Sequence, residues 1–219
     1  MMMGIGVLLL GFRIAESQVV SAQDLITVAA ATPAATPAAT GFHIDANRGQ
    51  AGPLYAHIGG QDIRIADEAF AAWLMDEGQT IAYSATDGGG GYENEGQSLR
   101  LYDVRARTHR TVLSANYVID AVSAIRTQSG RQALLVEMRD GGLGASHVAV
   151  VDPRRGPVFL RQQVKLVERQ GDMIVLGHYH ETDWERMTGE LAIPPYKTER
   201  HDVNVLIRRP VMAHKPATP

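Results

Sequence analysis

Four short stretches of the chain share one pattern: "DIRIAD" from Asp62, "SLRLYD" from Ser98, "HVAVVD" from His147 and "DVNVLI" from Asp202. Each places two aliphatic residues two positions apart: Ile63 and Ile65, Leu99 and Leu101, Val148 and Val150, Val203 and Val205. The residue between them varies freely (Arg64, Arg100, Ala149, Asn204). Side chains alternate faces along a strand, so each copy predicts a strand with one buried and one permissive face. A second strand type precedes three of these. "GQTIAYSATD" opens at Gly78, "GRQALLVEMRD" at Gly130 and "GDMIVLGHYHETD" at Gly171, and each closes on an acid, Asp87, Asp140 or Asp183. Strand, turn and strand make a hairpin, with Gly88 to Gly91 and with Gly141, Gly142 and Gly144 offering positive-φ positions. An all-strand unit recurring at about 40–50 residues is the period of propeller blades.

The first full unit, "WLMDEGQTIAYSATDGG…SLRLYDVRARTHRTVL", resembles a blade of the TolB-like and WD-repeat-like β-propellers. In that family a Trp, an Asp-Gly pair, an Ile-Ala-aromatic-Ser strand, a hydrophobic-x-hydrophobic-x-Asp strand and a Thr/Leu strand follow in order. Trp73, Asp76, Gly78, Ile81, Ala82, Tyr83, Ser84, Leu99, Leu101, Asp103 and Leu113 hold those places. Glu77 splits the Asp-Gly pair, the usual proline is missing, and the units from Val118 and Val164 keep only the hydrophobic skeleton. The resemblance implies an all-β, β-propeller-like array of antiparallel four-stranded blades. Three blades are recognisable, and "PLYAHIGGQDIRIAD" adds an N-terminal half blade. The family closes its ring with six or more blades, and an open arc leaves sheet edges uncovered. Closure is therefore open between a four-bladed ring joining the two termini, a homodimer of half-rings, and a sandwich of the same hairpins.

Outside the repeats, "MMMGIGVLLLGF" is an apolar run ended by Arg13. A spanning helix needs about 20 apolar residues, so the run reads as the core of a secretory signal over residues 1–22, with small residues at Val20, Ser21 and Ala22. No Lys or Arg precedes it. The expectation is export to a periplasmic or extracellular space, with no membrane span after signal removal. The chain has no cysteine, which excludes disulfides, a lipoprotein anchor, thiolate catalysis and Cys-ligated metal. "AAATPAATPAAT" marks residues 23–40 as an Ala/Thr/Pro-rich linker. Residues 41–210 are then the folded domain and 211–219 a C-terminal tail.

Candidate chemistry centres on "GHYHETDWE". His178 and His180 stand two apart, so a continuous strand would project both from one face, with Glu181, Asp183 and Glu185 following. His178, His180 and Asp183 could hold a divalent metal ion. The stretch resembles the start of the first cupin motif, but the glycine directly adjoins the histidine and no second motif follows. Asp76, Glu77, Asp87, Glu93 and Glu95 surround the glycine loop, where they serve calcium or, as turn residues, the backbone. "DGGGG" is too glycine-rich for a phosphate loop, and no G-x-S-x-G or H-E-x-x-H occurs. A net charge of -3 and pI near 6.2 give no global basic field for nucleic acid. Aromatics at 6% offer no broad base- or sugar-stacking platform. Arginine-rich spots in "DVRARTHR", "DPRRG" and "LIRRP" read as solubility and a partner face.

Residues 184–201 interrupt the third unit with a polar, Pro-Pro-containing insertion, which places Trp184, Tyr196, His178 and His180 on one rim. The expected function is a non-enzymatic binding module acting on a protein or peptide partner through rim loops, with no cofactor. The alternatives are a metal-binding protein or metal-dependent enzyme using His178 and His180, and a divergent remnant of a longer propeller.

Overall fold

Three of the four alternating stretches, those from Asp62, Ser98 and His147, form strands. The structure, a computed structural model, describes residues 37–46, 50–85, 96–140, 144–187 and 193–212. The strands are β1 (Ala39–Ile44), β2 (Gly52–Ile58), β3 (Gln61–Ala69), β4 (Ala71–Met75), β5 (Thr80–Ala85), β6 (Ser98–Asp103), β7 (Thr108–Ser114), β8 (Val118–Arg126), β9 (Gln132–Arg139), β10 (Ser146–Asp152), β11 (Gly156–Arg161), β12 (Val164–Gln170), β13 (Met173–His178) and β14 (Lys197–Asp202). Two short helices, α1 (Glu181–Met187) and α2 (Val203–Leu206), interrupt the strands near the C-terminus. Four sheets result, in the orders β1-β2-β3, β4-β5-β6-β7, β8-β9-β10-β11 and β12-β13-β14. Every pairing is antiparallel between strands adjacent in sequence. The architecture is all-β and propeller-like.

Sheet stacking follows the side-chain alternation. On β5, Ile81 and Tyr83 join Leu54, Ala56 and Ile58 of the first sheet, while Ala82 turns to the third sheet. On β9, Leu134, Val136 and Met138 face the second sheet, and Ala133 and Leu135 face the fourth. On β10, Ala149 and Val151 go one way, Val148 and Val150 the other. The fourth sheet closes the series with Val164, Ile174 and Leu176. Three apolar seams thus join four sheets in chain order, and among the described residues no apolar cluster joins the first sheet to the fourth. The permissive face expected at Ala149 is absent, since that residue is fully buried. Its sheet is covered on both sides.

The outer sheets confirm this by contrast. β2 alternates buried and half-buried residues along its length. Its outward face carries Tyr55 and His57, with His43 and Asp62 on the flanking strands. The outward face of the fourth sheet carries Lys165, Glu168, Thr198 and Arg200 beside Val175 and Met173. The expected N-terminal half blade is a complete three-stranded sheet, because residues from Ala39 pair with β2 as a further strand. Gly59 and Gly60, both at positive φ, make the tight β2–β3 turn.

The two ends of the strands differ. At one end lie the short turns after β2, β4, β6, β8, β10 and β12. Bonds between them tie neighbouring sheets: Gln132 Nε2 donates to Asp76 Oδ1 at 2.5 Å, and the Gln128 N–H donates to Asp172 Oδ2 at 2.8 Å. At the other end lie the longer connections after β1, β5, β9 and β13. β1 runs in the direction of β5 and β9, so the first sheet corresponds to second, third and fourth strands, and the last to first, second and third.

Two expectations change. "DVNVLI" is not a strand: Val203–Leu206 form α2, because Asp202 turns its carboxylate onto the Asn204 N–H at 2.8 Å and caps a helix. The strand through "GHYHETD" stops at His178, and α1 takes over from Glu181. The signal and most of the linker (residues 1–36), the loop with Asp87, Gly88 to Gly91, Glu93 and Glu95, Gly141 and Gly142, and tail residues 213–219 lie outside the described residues. β1 opens at Ala39, two positions before the domain start read from sequence.

Gly78, the first residue of the second strand type, has φ +84, and a Cβ there would collide with the Ala39 carbonyl oxygen where β1 meets the β4–β5 turn. Gly130 has φ +74 but open space around it. Gly78→Ala is therefore expected to cost more than about 1 kcal/mol and to lower the melting temperature by at least about 2 °C. Gly130→Ala should cost measurably less, and equal losses in thermal melts would refute the β1 contact.

Candidate functional site

The longer connections gather the residues singled out in "GHYHETDWE". β13 ends at His178, and the chain returns through Pro195 and Tyr196 to begin β14 at Lys197, opposite His178. The Tyr196 N–H donates to the His178 carbonyl at 3.1 Å, which anchors the returning segment. Tyr196 is 59% exposed. Its ring stacks on His180, with centroids 4.3 Å apart and planes at 20°, and lies 6.3 Å from the His178 ring. Three of the four expected rim residues therefore sit together.

Trp184 does not share that surface. It is 3% exposed and packs against Tyr179 (5.2 Å between centroids) and Ala145. α1 puts it there: the Asp183 carboxylate accepts from the His180 N–H at 3.0 Å, and the Asp183 N–H donates to the His180 carbonyl at 2.9 Å. This reciprocal bonding starts the helix and spends Asp183 on the backbone.

Below the ring stack lies a charge cluster that faces the third sheet. Glu199 and His201, two apart on β14, share its inner face with His178 and Ile174. Glu199 Oε1 lies 3.1 Å from His201 Nε2 and accepts from Arg161 Nε at 3.2 Å, while Oε2 lies 3.6 Å from His178 Nε2. His201 packs on Phe159, whose ring also carries the Arg161 guanidinium at 4.7 Å. Burial alone would raise the Glu199 pKa, but the hydrogen bond and charge of His201, then Arg161 and His178, outweigh it and hold it below the usual carboxylate range. Glu199, His201 and Arg161 were not singled out from sequence. The period-2 spacing in "TERHD" was a visible signal for the first two, but Arg161 comes from another sheet.

The short-turn end has a different character. The three arginine-rich stretches, far apart in sequence, converge there. A groove of about 460 Å³ is lined by Arg110, Arg154, Arg155, Val211 and Met212 among others. A neighbouring one of about 330 Å³ shares Arg110 and Arg154 with Thr80, Thr108 and Asp103. Arg155 is structural: it donates to Asp152 Oδ2 at 2.6 Å, to the Arg209 carbonyl at 3.3 Å and to the Ile207 carbonyl, pinning the C-terminal segment. The remaining guanidinium groups can take anionic groups in these grooves.

The ligand atoms of His178, His180 and Asp183 do not converge. Among the described residues one trio of His and acid side chains brings a ligand atom from each within 4.8 Å of the others: His43, His57 and Asp62. Asp76, an acid of the expected turn cluster, is engaged by Gln132.

His147 is the most enclosed imidazole. Tyr117 stacks on it at 3.8 Å, the Gln163 N–H donates to its Nδ1 at 3.2 Å, and Asp140 Oδ1 lies 3.2 Å from Nε2. Burial lowers its pKa and Asp140 offsets part of the shift. His109, which meets the Tyr83 hydroxyl at 3.0 Å, is likewise lowered, by burial and then by Arg100. An unfolded chain takes up these protons first, at about pH 6.5. Stability is therefore full above that pH and is lost as pH falls from it toward the folded values. Glu199 adds a second loss as pH falls through the carboxylate range, below about 4.3. Thermal melts from pH 8 downward should show both steps, and His147→Gln should shrink only the first.

No protein-family model matches the chain, and no curated protein matches it. Fourteen chains of solved structures do. One belongs to the crystal structure of a mitotic checkpoint complex, at 13% identity and a TM-score of 0.31, over 93% of this chain and 73% of that one. That likeness is too distant to carry function. No described helix is long and apolar enough to cross a membrane.

Proposed function

We propose that the chain is an exported, non-enzymatic binding module of propeller-like build that holds a protein or peptide partner at its long-loop end. Tyr196, His180 and His178 make the contact surface, and buried Trp184 packs on Tyr179, the residue between the two histidines. The observation that carries this reading is the exposed Tyr196 ring, fixed by its stack on His180 and by its backbone bond to His178. A large aromatic side chain already held in place loses little freedom on binding, which is the condition under which Tyr anchors contribute most at interfaces. The imidazoles add N–H donors and flat faces for arginine or aromatic side chains. Export is supported by the apolar segment ahead of Arg13 and the small residues ending at Ala22.

Two measurements test the reading. A photo-crosslinking amino acid at position 196 of the full chain, irradiated in the producing cell, should give a discrete protein adduct. His180→Ala should reduce that adduct several-fold, and the same probe at Gln170, the last residue of β12 before the opposite end's turn, should not give it. Equal adducts from both positions, or none, would overturn the assignment. N-terminal sequencing of the product should begin at Gln23, and a full-length cytosolic product would contradict export.

A further inference from the structure

We propose that His43, His57 and Asp62 form a binding site for a divalent transition-metal ion of the zinc, nickel or copper(II) class. The site is separate from the Tyr196 surface and does not depend on it. Its three side chains come from three successive strands of the first sheet. Asp62 on β3 is directly opposite His57 on β2, and His57 is opposite Gly41 on β1. His43, two residues along β1 from Gly41, lies diagonally from His57 on the same outward face. Diagonal and direct neighbours on one sheet face are within reach of each other's side chains.

Local packing holds the ligands toward one point. A Cβ at Gly41 would stand 3.1 Å from His57 Cδ2, so the missing side chain is what lets the His57 ring lie over β1 toward His43. His43 stacks on Tyr55, with centroids 5.0 Å apart and planes at 10°, which sets its ring orientation; its centroid is 5.4 Å from that of His57. His57 Nδ1 contacts Asp62 Oδ1 directly. One ligand atom from each residue falls within 4.8 Å of the other two. Ligand atoms on a tetrahedral ion with bonds of 2.0–2.2 Å are roughly 3.3–3.6 Å apart, a separation that small side-chain rotations reach from here.

The donor set selects the ion. Two imidazoles and one carboxylate suit zinc, nickel or copper(II), whereas calcium and magnesium require all-oxygen sites. Three protein ligands leave at least one coordination position open. His57 and Asp62 are substantially exposed, so that position faces solvent. The face also differs chemically from the inward side of the same sheet, where Phe42, Leu54 and Ala56 pack on the second sheet. No other described trio of His and acid residues comes as close together.

The test is titration of the tag-free full chain with zinc, nickel and copper(II) salts by calorimetry, with thermal melts in parallel. The expected result is saturable binding of one ion per chain and a melting temperature raised by the ion and restored by chelator. His43→Ala and His57→Ala should each weaken binding at least tenfold, Asp62→Asn should weaken it, and His178→Ala should leave it unchanged. Circular dichroism of the metal-free variants checks that they fold. If one does not, the wild-type copper(II) electron paramagnetic resonance spectrum decides, because two imidazoles give nitrogen hyperfine splitting. Absence of saturable binding, or binding that survives His57→Ala and is lost in His178→Ala, overturns the proposal.

Discussion

Burial of sheet faces governs this molecule. A two-faced sheet that is apolar on both sides is stable only between two others, and β9 and β10 are apolar on both sides. Each fully buried aliphatic side chain in a seam is worth about 1.5–3 kcal/mol, whereas an exposed ion pair such as Arg139 with Asp120 contributes about 0–1 kcal/mol. A seam containing Leu134, Val136, Met138, Leu99 and Leu101 therefore outweighs every surface pair in the fold. The order of the sheets follows, because each β-meander meets the next one along the chain. The series can stop at both ends because the outward faces of the first and last sheets are largely polar.

This stacking also sorts the chemistry. Antiparallel meanders send alternate connections to opposite ends, so the tight turns and the arginines collect at one end, and the longer connections at the other. The Tyr196 surface exists because β13 stops at His178 and the chain must travel through α1 before β14 can pair. The His43, His57 and Asp62 cluster belongs to a third place, the outward face of the first sheet, on which no other described sheet packs. Each location follows from strand direction and side-chain alternation.

Much of the fold was legible in the sequence. Period-2 aliphatics and turn glycines located β5, β6, β9 and β10, but the expectation of one permissive face failed where the continuous apolar runs in "ALLVEM" and "HVAVV" are covered on both faces. α2 was not legible from periodicity, because Val203 and Val205 have strand spacing and only the Asp202 cap reverses the outcome. α1 was hidden for a related reason: His178 and His180 look alike in sequence, but the Asp183 cap ends the strand between them. The site was legible in part. Proximity in sequence brought His178, His180 and Tyr196 into view, while Glu199 with Arg161, and His43 with His57 and Asp62, are assembled by pairing between strands. The exposed-rim reading of Trp184 missed that a helix turns that side chain inward.

The central claim is that three seams hold four sheets, with the two middle sheets covered on both faces and the outer two on one. Hydrogen-exchange mass spectrometry of the full chain tests it most directly. Local opening free energy rises with burial, so the slowest amides should lie in β5, β6, β9 and β10, and those of β2 and β13 should exchange faster. Protection in β2 and β13 equal to that in β9 would contradict the account, because it would mean that the first and last sheets also share a buried seam.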